Sequence, residues 1–127
     1  MPDVLVVDDN PTIREMLEDL LLVNGYTVDV AGHGRAALDL LEAGRVPRVI
    51  LLDLRMPVMD GAQLLEHLRA SPHACVPVVV RGSQVDEAGQ ADALAARFGC
   101  EVIGTGAGLL PVLEAVARHC GRELPVA

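Results

Sequence analysis

A chain of 127 residues with 51% hydrophobic and 22% charged side chains fits one globular domain, leaves no room for two and excludes a disordered protein. Its apolar runs, such as Val49 to Leu52 and Val76 to Val80, are too short to span a membrane, and Met1-Pro2-Asp3 does not open a secretory signal. A net charge of −8 argues against a basic nucleic-acid surface, and all ten cationic side chains are arginine, so the chain contains no lysine.

Taken in order, five short aliphatic runs alternate with stretches of helical period. The first run is Val4 to Val7, followed by a helix whose apolar stripe is Ile13, Met16, Leu17, Leu20 and Leu21. Asn10 is its expected N-cap, Pro11 suits its first position, and Asn24-Gly25 stops it. Tyr26 to Val30 alternates and reads as a half-exposed edge strand, leading to a helix over about His33 to Ala43 that points Ala37, Leu40 and Leu41 inward and ends at Gly44. Val49 to Leu52 is the third strand. The helix after it starts at Asp60 with Gln63 in a capping-box spacing, faces Leu64, Leu65 and Leu68 inward, and stops before Pro72. Val78 to Val80 is the fourth strand, an Ala-rich helix over Asp86 to Arg97 follows, and Val102 to Ile103 is the fifth strand. The last helix places Leu109, Leu113, Val116, Ala117 and Cys120 on one side and ends at Gly121. Strand alternating with helix five times predicts an α/β fold with a doubly wound parallel sheet covered on both faces.

Ligands of such sheets bind beyond the carboxyl ends of the strands. The first strand ends in Asp8-Asp9 and the third in Asp53, so three carboxylates converge if those strands are neighbours. Close carboxylates repel unless a cation joins them, and an oxygen-only donor set suits Mg²⁺ better than zinc. The plainer alternative is that Asp8 and Asp9 cap the first helix and Asp53 begins a turn. Cys75, Cys100 and Cys120 have no C-x-x-C spacing, which suits a reducing, cytoplasmic setting. His33, His67, His73 and His119 are scattered and read as incidental.

Val6-Val7-Asp8-Asp9-Asn10, the stretch Leu51-Leu52-Asp53-Leu54-Arg55-Met56-Pro57-Val58-Met59-Asp60-Gly61, and Ala31-Gly32-His33-Gly34-Arg35-Ala36-Ala37-Leu38 closely resemble the receiver domain of two-component response regulators. The resemblance covers about Asp3 to Cys120. It implies the CheY-like, flavodoxin-like (βα)₅ fold with strand order 2-1-3-4-5, a receiver domain over 1–121, and a short tail over 122–127. It further implies Asp53 as the phosphoacceptor, and Mg²⁺ held by Asp8, Asp9, Asp53 and the backbone carbonyl of Arg55.

Three positions of the resemblance are not retained. Gly82 stands where the family has a Thr or Ser hydroxyl, with Ser83 one residue late. Gly106 stands at the lysine position, and a chain without lysine cannot restore it by realignment. Ile103 occupies the aromatic switch position. Losing a charged contact to a transition-state oxygen costs about 2.7–4 kcal/mol. In charge terms, three carboxylates with Mg²⁺ but no ammonium keep one uncompensated negative charge. Arg81 and Thr105 are candidate substitutes, against the plainer alternatives of a surface arginine and a loop threonine.

The resemblance implies a phosphorelay receiver that takes a phosphoryl group from a histidine kinase or phosphotransfer protein and signals through a downstream protein, with atypical or weakened switching. The contacts expected are the fourth helix, fifth strand and fifth helix, a face that also offers a homodimer. Neither nucleic acid nor membrane is expected as a partner. The domain is not expected to be an enzyme beyond catalysing its own phosphorylation and dephosphorylation. The alternative is a pseudo-receiver that binds partners independently of phosphorylation. An aspartate-nucleophile phosphatase would need an acid at Asn10, in a D-x-D pattern after the first strand.

Overall fold

The computed structural model describes residues 2–53, 61–82, 96–97, 99–104 and 108–121. Its strands are β1 (Val4–Val7), β2 (Val28–Ala31), β3 (Val49–Asp53), β4 (Val78–Gly82) and β5 (Glu101–Gly104). The helices are α1 (Pro11–Val23), α2 (Gly34–Glu42), α3 (Gly61–Arg69) and α4 (Leu110–Cys120). All strand pairs are parallel and the order is β2-β1-β3-β4-β5, as the alternating pattern and the family resemblance led us to expect. Of the helix expected over Asp86 to Arg97, only residues 96 and 97 are described, and both are helical.

The pleat divides the aliphatic side chains between two cores, because successive residues of a strand point to opposite faces. Leu5, Val7, Ile50, Leu52 and Val80 pack with Leu41 of α2 and Leu64, Leu65 and Leu68 of α3. Val4, Val6, Leu51, Val79 and Ile103 pack on the other face with Leu17 and Leu21 of α1 and Val112 and Val116 of α4. Each central strand is therefore buried on both sides, which is why its sequence is continuously apolar.

The helix ends follow local chemistry. The Asn10 side chain accepts hydrogen bonds from the backbone N–H groups of Thr12 and Ile13, with Pro11 at the first helical position. Gly121 closes α4 at φ 68°, a left-handed conformation that glycine adopts without a Cβ penalty. Some local expectations shift. His33 is the N-cap of α2 rather than part of it: its Nδ1 accepts from the N–H of Ala36, so this histidine is not incidental. The second strand runs over Val28–Ala31 instead of Tyr26 to Val30; Tyr26 is buried before it begins, and Val28, Asp29 and Val30 are all half-buried rather than strictly alternating. Asp60 lies outside the described residues, so the expected capping box does too.

Candidate functional site

Register brings the strand-end residues together. Val7 of β1 pairs with Leu52 of β3, so Asp8 emerges beside Asp53. In the next row Asp53 pairs with Arg81 of β4, and Arg81 pairs with Ile103 of β5. Paired residues of parallel strands project to the same face, here the face covered by α1 and α4. The turn from β1 into α1 then carries Asp9 to the same mouth.

One carboxylate oxygen from each of Asp8, Asp9 and Asp53 lies within 4.8 Å of the others. They line a cleft of about 530 Å³, together with Met16 of α1, Arg81, and Gly108 before α4. Asp8 is buried, Asp53 half-buried and Asp9 exposed, so the cluster grades from the sheet toward solvent. The donors are all hard oxygens, with neither thiolate nor imidazole, and the open cleft leaves space for water ligands. This is the chemistry that suits Mg²⁺.

Asp8 is the most constrained of the three. Its Oδ1 accepts from the N–H of Asn10 at 2.9 Å, and its Oδ2 lies 3.4 Å from Nη1 of Arg81. Its own carbonyl accepts from Nη1 of Arg14 at 3.0 Å, which ties the β1–α1 turn to the helix that follows. Burial pushes the Asp8 carboxyl above its ordinary value. The Asn10 N–H and the Arg81 guanidinium oppose that rise, neighbouring Asp9 adds to it, and a side-chain hydrogen bond with Asp53 opposes it. The plainer alternative, in which Asp8 caps α1, gives way, because Asn10 does so as expected.

Arg81 departs most from expectation. It is 8% exposed, buried with Asp8 at 3%, and the two form an ion pair at the sheet mouth. The reading of Arg81 as a surface arginine is therefore corrected. The uncompensated negative charge expected at the cluster is also corrected, since a guanidinium lies within it. Its signal in the sequence is a lone charge at the end of an otherwise apolar run, Val78-Val79-Val80-Arg81.

Among the remaining expected site positions, Gly82 ends β4 opposite Gly104 of β5. Ile103 is buried in the core beneath α4. Arg55, Ser83, Thr105 and Gly106 lie outside the described residues. Arg14, as a tether of the Asp8 carbonyl, was not anticipated; its i+6 spacing from Asp8 carries no motif that would reveal it.

The family model described as the response regulator receiver domain matches residues 4–99. The response regulator MprA of Mycolicibacterium vanbaalenii is 44% identical over 68 residues, a stretch covering 54% of this chain and 29% of that protein. The chain thus spans less than a third of the length of this curated relative. Among solved structures, the receiver domain of a Francisella response regulator superposes with a TM-score of 0.83 at 25% identity, covering 95% of this chain and 98% of that one. A response regulator receiver protein from Pseudomonas putida gives 0.82 at 28% identity, covering 91% and 94% respectively.

Proposed function

This chain belongs to the response regulator receiver domain family, and from that premise we propose that it accepts a phosphoryl group on Asp53 and relays that event through protein contacts. The observation that carries this reading is the convergence of Asp8, Asp9 and Asp53 within 4.8 Å at the carboxyl edge of the sheet.

Asp8, Asp9, Asp53 and the carbonyl of Arg55 are the groups that would hold Mg²⁺. When bound, the cation supplies charge neutralisation where an anionic nucleophile meets an anionic phosphate. The chain's own part is positional. β3 ends at Asp53, fixing the carboxylate at the cleft mouth, and one of its oxygens attacks phosphorus. The bond from phosphorus to the donor's leaving atom, the imidazole nitrogen of a phosphohistidine or the acyl oxygen of acetyl phosphate, breaks, and the electron pair departs with that atom. Asp8, held by Asn10 and Arg81, shapes the floor of the cleft. Catalysis beyond the domain's own phosphorylation and dephosphorylation is not part of the proposal.

Switching is atypical in this reading. Gly82 brings no hydroxyl to the phosphoryl group, Gly106 brings no ammonium, and Ile103 is an aliphatic side chain where an aromatic would rotate. The phosphodonor is a histidine kinase or phosphotransfer protein, and the output is a downstream protein. The face around residues 86–97, β5 and α4 is the proposed contact and the proposed homodimer surface, without nucleic acid or membrane. We assign the domain to residues 1–121, with 122–127 as its tail, acting in the cytoplasm; among the described residues no helix is long and apolar enough to cross a membrane.

The test is intact mass after incubation with acetyl phosphate, with Mg²⁺ and with chelator, for the wild type and Asp53→Asn. Phosphorylation of the wild type that needs Mg²⁺ and is lost in the variant is expected. No mass gain in either chain would favour the alternative, a phosphorylation-independent interaction module.

A further inference from the structure

We propose that Arg81 is the phosphoryl-binding cation of this domain, a guanidinium on β4 that stands in for the ammonium the chain lacks. The proposal rests on Asp53 being the phosphoacceptor and adds the group that recognises the product.

A charged side chain at the end of Val78-Val79-Val80 would ordinarily avoid burial, since removing an unpaired charge from water costs several kcal/mol. Arg81 is nevertheless 8% exposed, lines the acidic cleft, and holds Asp8 at 3.4 Å. Its Cα is the direct register partner of Asp53, so the two side chains leave neighbouring strands on the same face. Adjacent strands are about 4.8 Å apart, which puts the guanidinium within reach of any group carried on Asp53. On the other side Arg81 pairs with buried Ile103, so among the described residues it has an aliphatic neighbour on β5 and the acidic cleft on the side of β3.

Charge and geometry agree. The carboxylates carry three negative charges; a divalent cation and one guanidinium cancel them, which a divalent cation alone cannot do. Guanidinium stays protonated at all physiological pH and presents parallel N–H donors that match two phosphate oxygens. In the phosphate-free state one of those donors is spent on Asp8. When Asp53 attacks a phosphodonor, a phosphorus–oxygen bond forms, the bond from phosphorus to the donor's imidazole nitrogen (or to the acyl oxygen of acetyl phosphate) breaks, and the leaving atom keeps the electron pair. Two negative charges then sit where Asp53 carried one. The Arg81 guanidinium, carried on the strand beside Asp53, donates to the phosphoryl oxygens and loosens its hold on Asp8. The switch is thereby a change of partner by Arg81 on β4, in place of a hydroxyl on β4 and an aromatic on β5.

A cation with this role has opposite effects on two measurements, which a merely structural arginine does not. Arg81→Gln keeps amide donors and removes the charge. Titrated with Mg²⁺ alone and followed by NMR or calorimetry, it is expected to bind the ion about tenfold more tightly, the effect one like charge has on an ion equilibrium at this range. With acetyl phosphate and Mg²⁺, its phosphorylation is expected to be about tenfold slower or more, for loss of a charge-assisted contact. Arg81→Lys is expected to recover most of the lost rate. Loss of both Mg²⁺ binding and phosphorylation in Arg81→Gln, or a wild-type rate, would overturn the assignment. In the wild-type chain itself, the Nε–H resonance of Arg81 is expected to shift on phosphorylation, and an unmoved resonance also overturns it, whether or not the variants fold. A wild type that binds Mg²⁺ but takes no phosphoryl group sinks the Asp53 reading first, and this assignment with it.

Discussion

Removing one carboxylate from the acidic cluster should stabilise the chain without metal and destabilise it with metal. Asp9→Asn is the cleanest perturbation, because Asp9 is exposed and the amide is nearly isosteric. At the outer separation of 4.8 Å, two carboxylates repel by about 0.9 kcal/mol in bulk water and about 3.5 kcal/mol at an effective dielectric of about 20. Asp9 faces Asp8 and Asp53, but it lies toward solvent and Arg81 already offsets Asp8, so the lower figure governs. The expected gain is about 1–2 kcal/mol in chelator at low salt, shrinking as salt screens the exposed charge. Excess Mg²⁺ reverses the order: a ligand at a hundred times its dissociation constant stabilises the wild type by about 2.7 kcal/mol, and a site lacking one carboxylate gains less. Urea denaturation followed by circular dichroism, with chelator and with Mg²⁺, reads all four values. A variant less stable than the wild type in chelator, or equal Mg²⁺ gains in the two chains, would refute the electrostatic reasoning.

The remaining predictions concern the scaffold. Arg118 donates to both carboxylate oxygens of Glu101 at 2.9 and 2.6 Å, pinning α4 to β5. That contact holds the Glu101 carboxyl below its ordinary value of 4.5, so its stabilisation is present above that pH and lost as pH falls through the folded-state value. Arg118→Ala should lower the urea midpoint slightly at neutral pH and not at all in strong acid; a pH-independent difference would contradict the assignment. Leu65→Ala, at a position with no exposure beneath the sheet, should cost about 2–5 kcal/mol in urea denaturation. Thiol labelling under native conditions should modify exposed Cys75 first, because Cys100 and Cys120 are buried and burial raises the Cys100 thiol; mass mapping of a short iodoacetamide pulse decides this.

The parallel sheet was legible because strands buried on both faces must be apolar throughout, and β1 and β3 are. Helix ends were legible where the capping group is local, as at Asn10 and Gly121. The three carboxylates were legible because the Asp8-Asp9 pair and Asp53 each directly follow an apolar run. Arg81 was legible as a candidate substitute but its burial in the cleft was not, since the direction of a side chain at a strand end depends on register with the neighbouring strands. Once Asp53 is paired with Arg81, the same parity that sends Leu51 and Val79 to one core sends both charged groups into one cleft. Burial of Val112 and Ala115 in α4 likewise depends on how that helix lies across the sheet, which helical period alone does not fix. The β2 boundary moved because Tyr26 is buried by the packing of α1, so an alternating pattern there mimicked strand.

The most direct test of the phosphoacceptor assignment is chemical trapping. Borohydride reduces an aspartyl phosphate to homoserine, so peptide mass mapping after acetyl phosphate and Mg²⁺ treatment names the modified position. The account predicts homoserine at Asp53 alone. Homoserine at Asp8 or Asp9, or at no aspartate while Mg²⁺ still binds, would contradict it.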